Sequence, residues 1–307
     1  MRLHFIINEY AGNGKSKKIW TKFQRELTLS YDVHWTQHRG HAFELAQAIA
    51  QQAEDIGDKA CIIAIGGDGT IHEVVNGAAQ YQSVYIGVVG AGSGNDFARG
   101  FSTFTHARDI EHFVLNPITD ARDYGIVQHN QQKRVFVNNC GVGFDAFVGI
   151  TANESRLKNR LNKVGLGQLS YVYYVVRTLM TFQTFEICIL QNGQKKTYQN
   201  VWFATVSNQP YFGGGMNLSP TSKTDDGFLE LTIVNQISKW KLLLIFGTVF
   251  FAKHTNFKEI TQLSSEAFTL QFDADLLCHA DGEKQLLGKG PQQLDFTVKK
   301  KAWHLAK

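Results

Sequence analysis

The stretch Cys61-Ile62-Ile63-Ala64-Ile65-Gly66-Gly67-Asp68-Gly69-Thr70-Ile71-His72 constrains the fold more than any other. Its apolar run is continuous and not alternating, the pattern of a strand buried on both faces of a parallel sheet. A glycine-rich turn follows at once, and helical periodicity resumes at Thr70. A strand that turns this tightly into a helix leaves the first helical amides without partners at the positive end of the helix dipole. Anions bind there, and glycines let the backbone approach a ligand closely. Asp68 is acidic in a phosphate-like site, so it is expected to hold a cation bridging phosphate oxygens. A capped turn with no ligand is the plain alternative.

The flanking sequence repeats the unit. Leu3–Ile7 reads as a strand, Lys15–Leu29 as a helix, Tyr31–Thr36 as a strand and His41–Ile56 as a helix. Thr70–Ala79 is a further helix and Val84–Val89 a further strand. This βαβα order predicts a parallel sheet with helices on both faces. After about Asp120 strand-like runs dominate: Tyr124–Gln128, Val135–Asn139, Phe185–Leu190, Val201–Val206, Leu229–Val234, Phe268–Phe272 and Leu294–Val298. Asn192-Gly193 is a two-residue hairpin signal. The region reads as an antiparallel sandwich. Two helical stretches interrupt it, Leu157–Phe182 and Lys239–Lys253, the second opened by Ser238 as N-cap. The division is α/β over 1–122 and β over 123–295.

A second glycine-rich turn follows Val84–Val89. Gly90, Gly92 and Gly94 frame the Ser93 hydroxyl, Asn95 and Asp96 can cap a short helix, and Arg99 adds a cation. Two such turns at strand ends of one sheet point to the crevice where open α/β sheets bind ligands. A third glycine-containing turn, Asn8 to Lys18, fails the strict P-loop test, because Glu9 stands where that motif needs glycine.

Composition narrows the classes. With 43% apolar and 19% charged residues in 307, the chain is globular. A net charge of +4, from 31 Lys+Arg against 27 Asp+Glu, is too weak to argue for nucleic acid, though an attraction to anionic lipid survives. The four cysteines lie far apart in or beside apolar runs, which suits buried reduced thiols in a cytoplasmic protein. No signal peptide is expected from the N-terminus. The longest apolar run, Leu242–Ala252, is too short to span a bilayer. His38 and His41 lack a nearby third zinc ligand, so solvated or capping roles are expected.

Together the Gly66–Thr70 turn, the Gly92–Arg99 segment and Asn8…Gly12 resemble the diacylglycerol kinase catalytic-domain family. Within it, the chain is similar to the soluble bacterial lipid kinases. The likeness continues through "GVGFDA" (Gly141–Ala146), "YFGGGM" (Tyr211–Met216), "DDGFLEL" (Asp225–Leu231) and "DGE" (Asp281–Glu283). It departs at Glu9, where the family usually has Pro, at Gly90 and Ser93, where Pro and Thr are usual, and at His41, where Asp is common.

The resemblance implies a Rossmann-like domain, similar to NAD kinase and phosphofructokinase, a C-terminal β-sandwich, and an active site in a cleft between them. Residues 296–307 would return to the first domain. ATP would contact Asn8, Gly12, Thr36, Gly66, Gly67, Asp68, Gly69, Thr70, Ile71, His72, Gly92, Ser93, Asn95 and Asp96. Glu283 or Asp281 would be the base, with Glu283 favoured, although "DGE" alone reads as a hairpin turn. Mg²⁺ would sit in a loop on the Asp226 carboxylate with main-chain oxygens near Lys223 and Phe228.

The implied activity is ATP- and Mg²⁺-dependent phosphorylation of a lipid hydroxyl, first that of diacylglycerol. A sphingoid base, a ceramide, NAD or, in a non-enzyme, nucleotide sensing are the alternatives. The implied partners are the lipid alcohol and a membrane surface visited transiently from the cytoplasm. No nucleic acid is expected, and a homodimer is compatible. The aromatic stretch Ser170–Phe182 reads first as core and second as a lipid-facing wall.

Overall fold

The protein is described by a computed structural model covering residues 1–92, 94–153 and 167–307. The chain divides into two compact units. Unit 1 is Met1–Tyr124 with Thr224–Gly227 and Lys299–Lys307; unit 2 is Gly125–Lys223 with Phe228–Val298.

Unit 1 is built on β1 (Arg2–Ile7), β2 (Asp32–Trp35), β3 (Ala60–Gly66) and β4 (Val84–Gly90). They pair in parallel in the order β2-β1-β3-β4. Every residue of β3 is buried, as its unbroken apolar run requires. The helices α1 (Lys15–Glu26), α2 (His41–Asp55), α3 (Asp68–Ala78), α4 (Asp96–Gly100) and α5 (Ala107–Leu115) fill the crossovers. Phe5, Trp20, Phe23, Ile63, Val89 and Phe113 belong to the core. In α2, Ala42, Ala46, Ile49, Ala50 and Ala53 are buried, so small side chains let it pack closely.

Unit 2 holds β5 (Ala121–His129, entering from unit 1), β6 (Gln132–Phe136), β7 (Asn139–Gly143), β8 (Phe185–Gln191), β9 (Gln194–Ser207), β10 (Tyr211–Phe212) and β11 (Met216–Asn217). It continues with β12 (Leu229–Asn235), β13 (Ile260–Ser265), β14 (Ala267–Phe272), β15 (Cys278–Ala280), β16 (Glu283–Gln285) and β17 (Gln292–Leu305). The pairs β5–β6, β7–β9, β7–β15, β8–β9, β8–β14, β9–β12, β12–β13 and β15–β16 are antiparallel. The long strand β9 pairs with β8 along its first half and with β7 and β12 along its second. Its helices are α6 (Phe144–Asn153), α7 (Gly167–Thr181) and α8 (Lys239–Phe246), and α8 runs into a 3₁₀ turn at Gly247–Phe251. Asn192 and Gly193 both have positive φ, as a type I′ hairpin turn needs.

Three expectations are corrected. Residues 224–227 lie in unit 1, not in the second domain. The buried Asp123 holds them: its carboxylate accepts Gly227 N–H at 2.7 Å, and its own N–H donates to Thr224 O at 2.7 Å. The same carboxylate accepts Lys301 N–H at 2.6 Å. The last residues of β17 thereby join unit 1, where His304 and Leu305 pair in parallel with Tyr85 and Ile86 of β4.

Val135–Asn139 is not one strand. It breaks after Phe136, because Val137, Asn138 and Asn139 donate their N–H groups to Asp281. Helix Lys239–Lys253 loses α geometry after Phe246, where Gly247 and the β-branched Thr248 and Val249 weaken it. Its start is as expected, with Ser238 Oγ accepting Lys241 N–H at 3.3 Å. The beginning of the helix expected from Leu157 lies outside the described residues. Of the cysteines, Cys61, Cys140 and Cys278 are buried and Cys188 is half-buried. Burial pushes the Cys61 thiol up to about 12.

Candidate active site

In unit 1 three glycine turns converge. Asn8 lies just past β1, where its N–H donates to Ile65 O at 3.0 Å and its Nδ2 donates to Thr70 Oγ1 at 3.1 Å. Gly12 has φ +60, and a Cβ there would lie 1.9 Å from Ala91 O. A Cβ on Gly92 would lie 2.6 Å from Gly67 Cα. The glycines at these positions therefore let main chain touch main chain. The Thr70 side chain folds over Gly66, where a Cβ would meet it at 2.6 Å. Ala91 N–H donates to Gly66 O at 2.7 Å, which ties the second turn to the first.

Asp68 opens α3, and its Oδ1 accepts the Phe97 N–H of α4 at 3.0 Å. The acid thus joins the two strand-to-helix turns. Asn95 has φ 52, and its Oδ1 is buried without a hydrogen-bond partner among the described residues. A buried unpaired polar atom is costly, and beside two glycine turns it marks a place for a polar ligand. Asp96 is buried and pairs with Arg99 at 3.7 Å, and Arg99 also donates to Gly94 O.

The structure thus brings Asn8, Gly12, Gly66, Gly67, Asp68, Thr70, Gly92 and Asn95 together. Gly69 is exposed on the first turn of α3, and His72 is half-buried one residue beyond Ile71. Thr36 lies just past β2, where its N–H donates to Ile7 O at 2.9 Å. Ile71 is fully buried and its N–H donates to Gly67 O, so its side chain serves the core and not the turn surface. Ser93 lies outside the described residues. The departure at Glu9 carries its own counterion, Lys17 Nζ at 3.0 Å. His41 Nδ1 accepts Gln37 N–H at 3.0 Å, a turn-capping role; the expectation of no third ligand is corrected, because one helical turn brings Glu44 within 4.8 Å of His38 and His41. Glu73, not singled out from sequence, accepts Gly40 N–H at 2.9 Å and Ala42 N–H at 3.1 Å and so caps α2.

In unit 2 Asp281 and Gly282 form the turn of the β15–β16 hairpin, and Glu283 pairs with Ala280. Asp281 and Gly282 both have positive φ, 49 and 82, so the hairpin reading and a functional one share the same residues. The Asp281 carboxylate accepts Val137 N–H at 2.9 Å, Asn138 N–H at 2.9 Å and Asn139 N–H at 3.0 Å. Its role is to anchor the hairpin to the chain entering β7. Glu283 starts β16 and is half-buried.

Behind the turn lies a buried polar cluster. Gly282 N–H donates to His279 Nδ1 at 3.3 Å, which places the His279 proton on Nε2. Nε2 faces Asp145 Oδ2 at 3.4 Å, and the same oxygen accepts Thr205 Oγ1–H at 2.6 Å. Phe212 stacks on His279 with ring centroids 5.2 Å apart. A Cβ on Gly141 would lie 2.4 Å from Asp145 Oδ2, so "GVGFDA" packs its glycine against its own acid.

Asp145 and Phe212 also belong to the wall of an apolar cavity with Phe144, Leu242, Ile245 and His254. Its free volume is about 70 Å³, room for a small apolar group and below the range of drug-sized ligand sites. Burial lowers the His254 pKa, only partly opposed by its hydrogen bond to Leu218 O.

The loop with Lys223, Asp226 and Phe228 is held on one side by Asp123, as above. Arg122 donates to Thr224 Oγ1 at 2.8 Å and pairs with Asp225 at 3.3 Å. Burial would raise the Asp120 pKa, but hydrogen bonds from Arg122 and Lys307 outweigh it and hold the carboxyl below its ordinary value. Asp226 is exposed. Its carboxylate is a hard oxygen donor of the kind that suits Mg²⁺.

Comparison with known proteins matches residues 2–124 to the diacylglycerol kinase catalytic domain. Residues 138–302 match the YegS C-terminal NAD kinase beta sandwich-like domain. The chain belongs to the diacylglycerol kinase catalytic-domain family. YtlR of Bacillus subtilis, a candidate lipid kinase by its name, is 34% identical over 301 residues, covering 94% of this chain and 95% of that one. A Bacillus subtilis protein named diacylglycerol kinase is 28% identical over 294 residues, covering 92% and 89%. A crystal structure of a Bacillus anthracis protein, a diacylglycerol kinase candidate by its name, superposes with TM-score 0.73 at 20% identity, covering 99% and 96%. The family's N-terminal α/β domain and C-terminal β-sandwich domain are both present here. No helix among the described residues is long and apolar enough to cross a membrane.

Proposed function

We propose that the protein transfers the γ-phosphoryl group of ATP to the hydroxyl of a lipid alcohol, diacylglycerol first. The observation that carries the lipid half is the apolar cavity of unit 2. In its wall, Asp145 and Phe212 contact the same His279 that accepts the Gly282 N–H of the Asp281–Glu283 turn. Its apolar lining suits part of an acyl chain, and through His279 its wall adjoins that turn. Family membership supports phosphoryl transfer, and the three converging glycine turns of unit 1 support a phosphate-bearing co-substrate.

In this reading Glu283 accepts the proton of the attacking hydroxyl as its oxygen bonds to phosphorus and the bond to the ADP oxygen breaks. Asp281 is the less suited base, since three amides occupy its carboxylate. Asp68 would hold a Mg²⁺ ion at the phosphates, with the buried Asn95 oxygen nearby as a further polar contact. When bound, that ion neutralises charge developing on the phosphate oxygens. A second Mg²⁺ would be structural, on Asp226 and the carbonyls of Lys223 and Phe228.

The test is radiolabelled ATP with diacylglycerol, sphingoid base, ceramide and NAD, the lipids in mixed micelles. Labelled lipid with diacylglycerol preferred is the expected result. Phosphorylation of NAD and of no lipid would overturn the reading. ATP binding with no turnover on any acceptor would favour a nucleotide sensor instead.

A further inference from the structure

Helix α8 and the 3₁₀ turn after it are apolar on both sides. One side, with Leu242, Ile245 and Val249, is buried and lines the cavity. The other side faces out: Trp240 is 71% exposed, Leu244 81% and Phe251 76%, with Phe250 and Leu243 also exposed. A helix apolar all round is normally buried. Large apolar residues clustered on the outside mark a surface that something covers.

Charge says what covers it. Residues 236–258 hold four lysines and no Asp or Glu. Lys253 and Lys258 are exposed. Lys239 donates to Met180 O at 2.8 Å and Lys241 pairs with the buried Glu259 at 2.7 Å, which fixes the helix against unit 2. Arg177, Val176 and Met180 of α7 are exposed in turn. Apolar side chains with Trp among them and a cationic rim are the pattern of a segment that lies in the headgroup region of an anionic bilayer.

We propose that α8 and Gly247–Phe251 form the face on which the protein docks to an anionic membrane surface. Trp240, Leu244 and Phe251 enter the boundary between headgroups and acyl chains. Lys253 and Lys258 meet the lipid phosphates. The opposite side of the same short helix lines the cavity, so docking sets the wall of the acyl-chain site against the lipid. The choice of a bilayer rests on the lipid-acceptor reading.

The test uses the full chain and co-sedimentation with vesicles of phosphatidylcholine alone or with phosphatidylglycerol, at low and high salt. The wild type should bind the anionic vesicles, more weakly as salt rises. Leu244→Asp with Phe251→Asp should weaken binding by about tenfold or more. Lys253→Glu with Lys258→Glu should remove the preference for the anionic vesicles. A bromine-labelled phospholipid should quench fluorescence in the wild type more than in Trp240→Phe, a variant mild enough to keep the fold.

Equal vesicle binding by wild type and the Leu244/Phe251 variant, or equal quenching, would overturn the proposal. So would a dimer that this variant dissociates, without vesicle binding by the wild type. Vesicle binding needs no ATP, and a monomeric short-chain diacylglycerol reports turnover without a membrane. Docking with no lipid phosphorylated would sink the kinase reading and leave the docking face standing.

Discussion

Asp281 and Glu283 sit two residues apart, and one pair of substitutions separates their roles. Asp281→Ala removes the acceptor for three main-chain N–H groups at 2.9, 2.9 and 3.0 Å. Hydrogen bonds to a charged group contribute about 1.5–3 kcal/mol each when counted singly, and stranded amides cost about 1–3 kcal/mol. The three share one carboxylate and do not add fully, so the loss is on the order of 3–6 kcal/mol. The left-handed φ of 49 at this position adds about 1 kcal/mol against Ala.

For a domain of this size about 2–4 °C of Tm goes with each kcal/mol, so unit 2 should melt on the order of 10 °C lower. Asp281→Asn keeps one carbonyl oxygen and a side chain that tolerates positive φ, and should lose roughly half as much. Glu283→Gln should leave the melting curve within about 0.5 kcal/mol of wild type and lower kcat by on the order of 10²–10⁴. Thermal unfolding and single-turnover kinetics on the same preparations decide it. A normal Tm for Asp281→Ala with a kcat collapse, and normal kcat for Glu283→Gln, would refute the assignment.

Four further outcomes follow from the same geometry. Asp68→Asn should nearly abolish turnover at saturating Mg²⁺ while the fold persists; near-wild-type kcat would remove Asp68 from the phosphate site. Gly92→Ala should weaken ATP binding, because its Cβ would lie 2.6 Å from Gly67 Cα, and unchanged affinity by calorimetry would mean that the turns do not form the nucleotide site. Asp226→Ala should abolish the rise in Tm that Mg²⁺ confers on the wild type; a wild-type curve indifferent to Mg²⁺ would count against the structural ion. Burial depresses the His254 pKa, so the unfolded chain takes up this proton first as pH falls. The neutral ring therefore contributes stability above the unfolded value near 6.5 that is lost below it. The fall in Tm between about pH 7.5 and 5.5 should be smaller in His254→Gln, and equal slopes would contradict this.

How much of this was legible depended on distance along the chain. The Gly66–Gly69 turn was readable because strand, turn and helix are contiguous, and each has its own local pattern. The Asn192-Gly193 and Asp281-Gly282 turns were readable for the same reason: two residues carry the backbone geometry. What joins remote residues was not. His279 meets Asp145 across 134 positions, and neither looks unusual in its own window.

The break in Val135–Asn139 is caused by Asp281, far along the chain, so an apolar run alone extends the strand too far. The return of 224–227 to unit 1 depends on one buried carboxylate, Asp123, whose neighbours Arg122 and Tyr124 give no hint of burial. The outward face of α8 was visible only as an apolar run. Which of its residues face solvent needed the fold.

The way unit 1 is completed has a consequence for how the protein is made. Its β4 edge is filled by His304 and Leu305, and its Phe97 and Phe101 rings pack near Trp303. These partners are made about 200 residues after β4. The first 124 residues must wait through the synthesis of unit 2 with one sheet edge open, a state prone to wrong pairing. Unit 2, interrupted only by 224–227, has its strands made before Lys299–Lys307 emerges. Unit 1 is thus completed only when Lys299–Lys307 has been made, and a chain cut back to Val298 should be sensitive to protease in unit 1 and not in unit 2.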